Sequence, residues 1–318
     1  MARTLTVISL AFIVLSLACV FSSTTAPAPT IPAEPVITTA PTATPTYQSR
    51  PKGVAKNITY CTINDTSLVM DIYYPDPAPE PWPVVMYVHG GAWQTGDKNE
   101  GAGFQDVADL QKNGFMVVSI NYRLAPKFKF PAQIQDVKCA VRYLRAHAGQ
   151  YNLNPNKIGA WGGSAGGHLV SLLGTANPQK DWEIGEYPEQ SSQVQAVVDM
   201  FGPADLTIPF PGAEQQLQKD VFNVYKPDDP ILKTASPINY VSANDPPFLI
   251  LHGDKDDLVP LQQSQVLYEK LKSAGVSVEL VVVKNAGHSF RQVGDQPISP
   301  SRAELGKRIM TFFTKLLK

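Results

Sequence analysis

The chain has 318 residues, 43% of them apolar and 17% charged, with a formal net charge of −1 and three cysteines. That balance belongs to a globular protein long enough to bury a substantial core. A near-neutral charge offers no basic field to nucleic acid, and no such partner is expected.

The first fifty residues do not read as folded structure. Arg3 precedes an apolar run over 5–18, too short to span a bilayer comfortably, so 1–19 reads as a signal peptide. The run ends Leu15-Ser16-Leu17-Ala18-Cys19, which resembles a bacterial lipoprotein box. Lipid on Cys19 would leave an exported protein anchored in the membrane at the cell surface or envelope, whereas ordinary cleavage over 22–25 would leave it secreted. Residues 20–52 are dominated by Thr, Pro and Ala and are expected to form a semi-rigid disordered tether. The folded domain is expected over 53–318.

From Val54 onward, short β-branched runs alternate with longer amphipathic ones, the pattern of a mostly parallel sheet covered on both faces. Runs at 57–61 and 67–74 predict an antiparallel start. Strands are then expected at 84–88 and 115–120, with a helix over 106–112 between them. The spacing predicts a helix over 132–148, with Ile134, Val137, Cys139, Val141 and Leu144 inward and Lys138, Arg142 and Arg145 on its polar side. A strand over 157–161 leads into a glycine-rich turn and a helix beginning at Ala165. Further strands are expected at 194–200, 248–251 and 276–283, and a last helix over 302–317. The stretch 203–244 holds six prolines and is long for a connection, so it is expected to cover the site. Cys61 ends a strand-like run and Cys139 lies in a helix-like one. Both are expected to stay buried thiols, although export would permit a disulfide.

The turn reads Gly162-Gly163-Ser164-Ala165-Gly166-Gly167. Gly-x-Ser-x-Gly alone is a weak signal, but between a strand and a helix it describes a nucleophile held on a strained turn that small neighbours permit. A serine hydroxyl needs a base, and the base needs an orienting acid. His288, in a loop between the last strand and the last helix, is the candidate base. His89 and His252 end strands, His147 sits on a polar helix face and His168 lies one turn into the helix after Ser164, so these four are read as structural. Asp254, Asp256 and Asp257 follow the 248–251 strand at the edge where active-site loops gather, and the bare sequence does not choose among them. Asp199 and Asp205 are weaker candidates. His89-Gly90-Gly91-Ala92-Trp93 supplies backbone N–H groups for an oxyanion from Gly90 and Gly91, with Ala165 as the further donor. Trp93 is a candidate for the substrate-binding wall. No motif implies a metal or nucleotide cofactor.

Together with Asn121-Tyr122-Arg123-Leu124-Ala125-Pro126 and Phe201-Gly202-Pro203, these segments resemble the esterases related to hormone-sensitive lipase. Within that branch they are similar to the bacterial feruloyl esterase-like and formamidase-like group. The resemblance covers 54–318. It implies an α/β-hydrolase fold, a mostly parallel twisted sheet with helices on both faces and a small irregular cap insertion. It also places the acid on Asp256 and so completes a Ser164, Asp256, His288 triad. Ala92 departs from relatives that carry a third glycine there, but a donor needs only an N–H. Arg123 and Asp136 are read as a structural pair.

The function these readings imply is a serine esterase acting on carboxylic esters through an acyl-enzyme. Short-chain esters or acetylated or feruloylated polysaccharides are the substrates that resemblance and compartment suggest. An amidase or arylformamidase-type hydrolase, and a non-catalytic binding protein on the same scaffold, are the alternatives.

Overall fold

The computed structural model describes residues 52–318 other than 76, 77, 178 and 227. The signal peptide, the lipidation of Cys19 and nearly all of the tether therefore lie outside the described residues. In chain order the elements are β1 (Val54–Ile63), β2 (Thr66–Tyr73), β3 (Trp82–Val88), α1 (Val107–Lys112), β4 (Met116–Ile120), α2 (Ala132–Ala146), α3 (Ala148–Tyr151) and β5 (Leu153–Gly163). Then come α4 (Ala165–Thr175), β6 (Ala196–Met200), α5 (Gln215–Phe222), α6 (Pro230–Thr234), β7 (Phe248–Gly253), α7 (Gln262–Ser273), β8 (Val278–Val283) and α8 (Arg302–Leu317).

The eight strands form one sheet in the order β1-β2-β4-β3-β5-β6-β7-β8. β1 and β2 pair antiparallel, as do β2 and β4, and every later pairing is parallel. β3 shows why the run at 84–88 is continuously apolar. Val84, Met86 and Val88 point into one core layer, while Val85 and Tyr87 point into the other. α2, α4 and α7 contribute to the first layer and α1 and α8 to the second, so both faces are covered. α8 buries Leu305, Ile309, Phe313 and Leu317, one side chain per turn, each burial worth roughly 2 kcal/mol. It begins at a capping box in which Ser301 and Glu304 satisfy each other's backbone N–H groups.

Three expectations need correction here. Cys61 and Cys139 are not free thiols but form a disulfide, their Cα atoms 6.4 Å apart. α2 packs across β1, and this brings together residues 78 apart in sequence, a proximity that no local pattern encodes. Lys138 and Arg142 do not face solvent: they are 0% and 1% exposed. The connection after α4 folds over α2 and brings Glu183 to both, at 2.7 Å from Lys138 Nζ and 2.5 Å from Arg142 Nη1. Glu183 offsets one of the two positive charges, and the carbonyls of Ala176, Ile184 and Glu186 accept further hydrogen bonds that hold the buried cations. Finally, α7 was not anticipated, because Leu267 and Leu271 are the only large apolar side chains it fully buries, in a run that is mostly polar.

Candidate active site

β3, β5, β6, β7 and β8 run parallel, so the loops after them gather at one sheet edge. Ser164 lies between β5 and α4 with φ 56° and ψ −121°, a strained conformation for a residue with a Cβ. Its N–H donates to the Met200 carbonyl at 2.9 Å, which ties the turn to β6. A Cβ at Gly166 would fall 2.1 Å from the Val88 carbonyl oxygen, and one at Gly162 would fall 2.6 Å from the Gly166 carbonyl carbon. Glycine at both positions is thus a steric requirement of the turn.

Ser164 lines a cleft of about 570 Å³. One wall comes from the loop after β3, including Gly90, Gly91, Gln94 and Glu100, and the other from Phe201, Leu258, His288 and Ser289. The N–H groups of Gly90, Gly91 and Ala165 donate to no other described residue, which leaves them available to a ligand oxygen. Among the described residues, none from 203–244 lines the cleft, contrary to expectation. That stretch instead supports it from behind, through the Gly212 N–H, which donates to the Leu258 carbonyl at 2.8 Å.

His288, in the loop after β8, donates from Nδ1 to Asp256 Oδ2 at 2.8 Å. That fixes the tautomer and leaves Nε2 as the ring's acceptor. Asp256 Oδ1 accepts from the Leu258 and Val259 N–H groups at 3.0 and 2.9 Å. Burial pushes the Asp256 carboxyl up, but the hydrogen bonds from His288 and the Val259 N–H outweigh it and hold the group below the usual carboxylate range. The neighbouring acids are engaged elsewhere. Asp254 faces Lys284 at 3.7 Å, Asp205 accepts from Thr207, and Asp199 is held by Ser171 Oγ and the Gly202 N–H.

The four other histidines serve the framework. His168 is fully buried, accepting from Trp93 Nε1 at Nδ1 and donating from Nε2 to the Ala235 carbonyl. Burial pushes its pKa down to about 4, so it stays neutral. His252 bridges Ser264 and the Val259 carbonyl, His147 bonds the Tyr143 carbonyl, and His89 stacks on Tyr122. His89 nevertheless reaches the cleft lining, which its place at a strand end did not disclose.

Trp93 does not form the substrate-binding wall. Left-handed backbone at Ala92 and Trp93, with φ 51° and 59°, turns the indole away from the cleft and into the core. There it is 4% exposed and packs edge-on against Phe222. The 96–103 loop, expected to help shape the pockets, does line the cleft through Gly96, Glu100, Gly101 and Ala102. Lining residues that sequence reasoning did not single out include Gln94, Leu258 and Phe201, the first close to the glycine-rich loop and the last in a segment noted only for its family likeness. Among the described residues, no group of three or more His, Cys, Asp or Glu is arranged to hold a metal ion.

A parallel sheet that delivers serine, aspartate and histidine to one edge in that chain order is an α/β-hydrolase. Residues 70–271 match the BD-FAE family model. Esterase LipQ of Mycobacterium tuberculosis is 35% identical over 70% of this chain and 54% of its own length. Esterase LipC of the same organism is 34% identical over 71% of this chain and 58% of its own. The chain therefore spans a little over half the length of these curated relatives. Among solved structures, a truncated carbohydrate esterase from gut microbiota is 32% identical with a TM-score of 0.71, covering 83% of this chain and 96% of that one. The chain belongs to the BD-FAE family, within the α/β-hydrolase esterases related to hormone-sensitive lipase.

Proposed function

We propose that this protein is a serine esterase that cleaves carboxylic esters through an acyl-enzyme. Ser164 Oγ attacks the ester carbonyl carbon as His288 Nε2 takes its proton. The N–H groups of Gly90, Gly91 and Ala165 receive the oxyanion. The carbon–oxygen bond to the alcohol then breaks, and His288 returns the proton to the departing oxygen. Water, deprotonated by His288, attacks the acyl-enzyme, and His288 returns that proton to Ser164 Oγ as the carboxylic acid leaves. The observation that carries this reading is the 2.8 Å hydrogen bond from His288 Nδ1 to Asp256, made by a histidine lining the same cleft as Ser164.

The substrate class we propose is an acylated polysaccharide or a short-chain ester, supported by the family match and by the similarity to a carbohydrate esterase. Export, with Cys19 as the lipid-bearing residue, is part of the same reading. The disulfide between Cys61 and Cys139 is consistent with an oxidising compartment.

Turnover of 4-nitrophenyl acetate, acetyl xylan and methyl ferulate by the purified chain tests the activity. Ser164→Ala and His288→Ala are each expected to lower kcat by at least about 10³-fold. Folded variants that keep full activity would overturn the assignment. Mass spectrometry of the native N-terminus tests the anchor, because a mature chain beginning beyond Cys19 rules out lipidation there.

A further inference from the structure

We propose that Phe201 is a positioning residue that holds the His288 ring in register with the turn carrying Ser164. The proposal rests on the esterase reading above and assigns a role to the segment Phe201-Gly202-Pro203.

Phe201 immediately follows β6, is 1% exposed, and has φ 46°. That region is unfavourable for a bulky side chain and persists only where the surroundings impose it. Three hydrogen bonds do so. The Phe201 N–H donates to the Leu251 carbonyl at 2.8 Å, the preceding Met200 carbonyl accepts from Ser164, and the following Gly202 N–H donates to Asp199 at 2.9 Å. The turn that sets the ring is thereby tied both to the serine and to β7, the strand that leads to Asp256.

The ring packs against both the imidazole of the proposed base and the residue that precedes the proposed nucleophile. It meets His288 edge to face, with centroids 4.8 Å apart and planes at 64°, and meets Phe290 at 4.9 Å and 79°. On its other side it lies against Gly163, where a Cβ would come within 3.0 Å of Phe201 Cζ. Asp256 fixes one nitrogen of the imidazole, but a single hydrogen bond leaves the ring able to tilt about it. An aromatic wedge between Gly163 and His288 removes that freedom, and the rigid Phe290 behind it keeps the wedge from retreating. Phe201 therefore acts through His288 and not by taking part in proton transfer.

The test uses the whole chain with Phe201→Leu, Gly163→Ala and the double variant, compared by thermal unfolding, ester turnover and the rate at which paraoxon phosphorylates Ser164. Leucine keeps the site apolar but leaves a gap. Phe201→Leu is expected to lower kcat by about 10- to 100-fold with KM changed less than about twofold, and to slow phosphorylation by a similar factor. Gly163→Ala alone is expected to press on the ring and lower kcat as well. In the double variant the added methyl refills the gap, so the loss should be smaller than the product of the single losses. A kcat within twofold of wild type for Phe201→Leu overturns the proposal, as does a loss expressed only in KM, or strictly multiplicative losses in the double variant. If wild type itself neither turns over ester nor reacts with paraoxon, the esterase reading falls, and this proposal falls with it.

Discussion

His252 Nε2 lies 3.6 Å from the Asp256 oxygen that His288 Nδ1 reaches at 2.8 Å, so one buried carboxylate stands between two imidazoles. The two do not compete for it. His252 directs its Nε2 hydrogen to the Val259 carbonyl at 2.7 Å, and burial depresses its pKa and keeps it neutral. Asp256 is left to orient His288 alone.

Asp256→Asn should therefore lower kcat by about 10³- to 10⁴-fold with little change in KM, because the amide can donate to Nδ1 and favour the wrong tautomer. Steady-state kinetics on a chromogenic ester checks this. A loss below tenfold would mean that another group orients the base.

The disulfide should matter to stability and not to chemistry. It closes a span of 78 residues, for which chain-entropy arguments give about 4 to 5 kcal/mol. Cys61→Ala with Cys139→Ala is expected to lower the urea midpoint accordingly while kcat/KM at 25 °C stays within about twofold, since β2, β4 and β3 separate β1 from β5. An unchanged midpoint would show that packing of α2 on β1 suffices.

Asp199 gives the fold a pH dependence of unusual sign. Full burial pushes its carboxyl up to about 6, against the lowering effects of Ser171 and the Gly202 N–H. The unfolded value is about 3.9, so the folded state holds the extra proton between the two. Its contribution to stability is fully present below about pH 4 and is lost as pH rises through about 6, an effect of about 2 to 3 kcal/mol. Asp136, also raised to about 6 by burial, adds a slope of the same sign, so the measure is the difference between wild type and Asp199→Asn. Denaturation midpoints from pH 4 to 7 should converge at low pH for a pair differing only in this proton. Parallel curves would refute the assignment.

Trp93→Phe separates packing from binding. Loss of the indole N–H leaves His168 Nδ1 buried without a donor, expected to cost about 1 to 3 kcal/mol in stability. Because the ring faces the core, KM for a short ester should change by less than about twofold. A large rise in KM with unchanged stability would return Trp93 to the cleft.

The sequence carried the parts of this molecule that are local in origin. The glycines around Ser164 are needed by backbone contacts within a few residues or to the adjacent strand, and such needs leave a motif. His288 could be found because it ends the last βα unit, whereas Asp256 was separable from Asp254 and Asp257 only by family resemblance, since side-chain direction in a turn is not encoded by spacing. Cys61, Cys139, Lys138 and Arg142 were misread for one reason. Their partners arrive from distant segments, and a helix whose every side is covered has the same heptad pattern as one facing water. Trp93 shows the complementary limit, because two left-handed residues reversed the direction that its position after a double glycine suggested.

The bond between Cys61 and Cys139 also has a mechanical meaning. β1 is both the edge of the sheet and the strand through which any pull on the preceding chain enters the domain. An edge strand held by hydrogen bonds alone peels one rung at a time under such a load. With Cys61 fixed covalently to α2, unzipping can proceed no further than the first seven residues of β1, and force on the leader is passed to a buried helix before it reaches the strands that support Ser164.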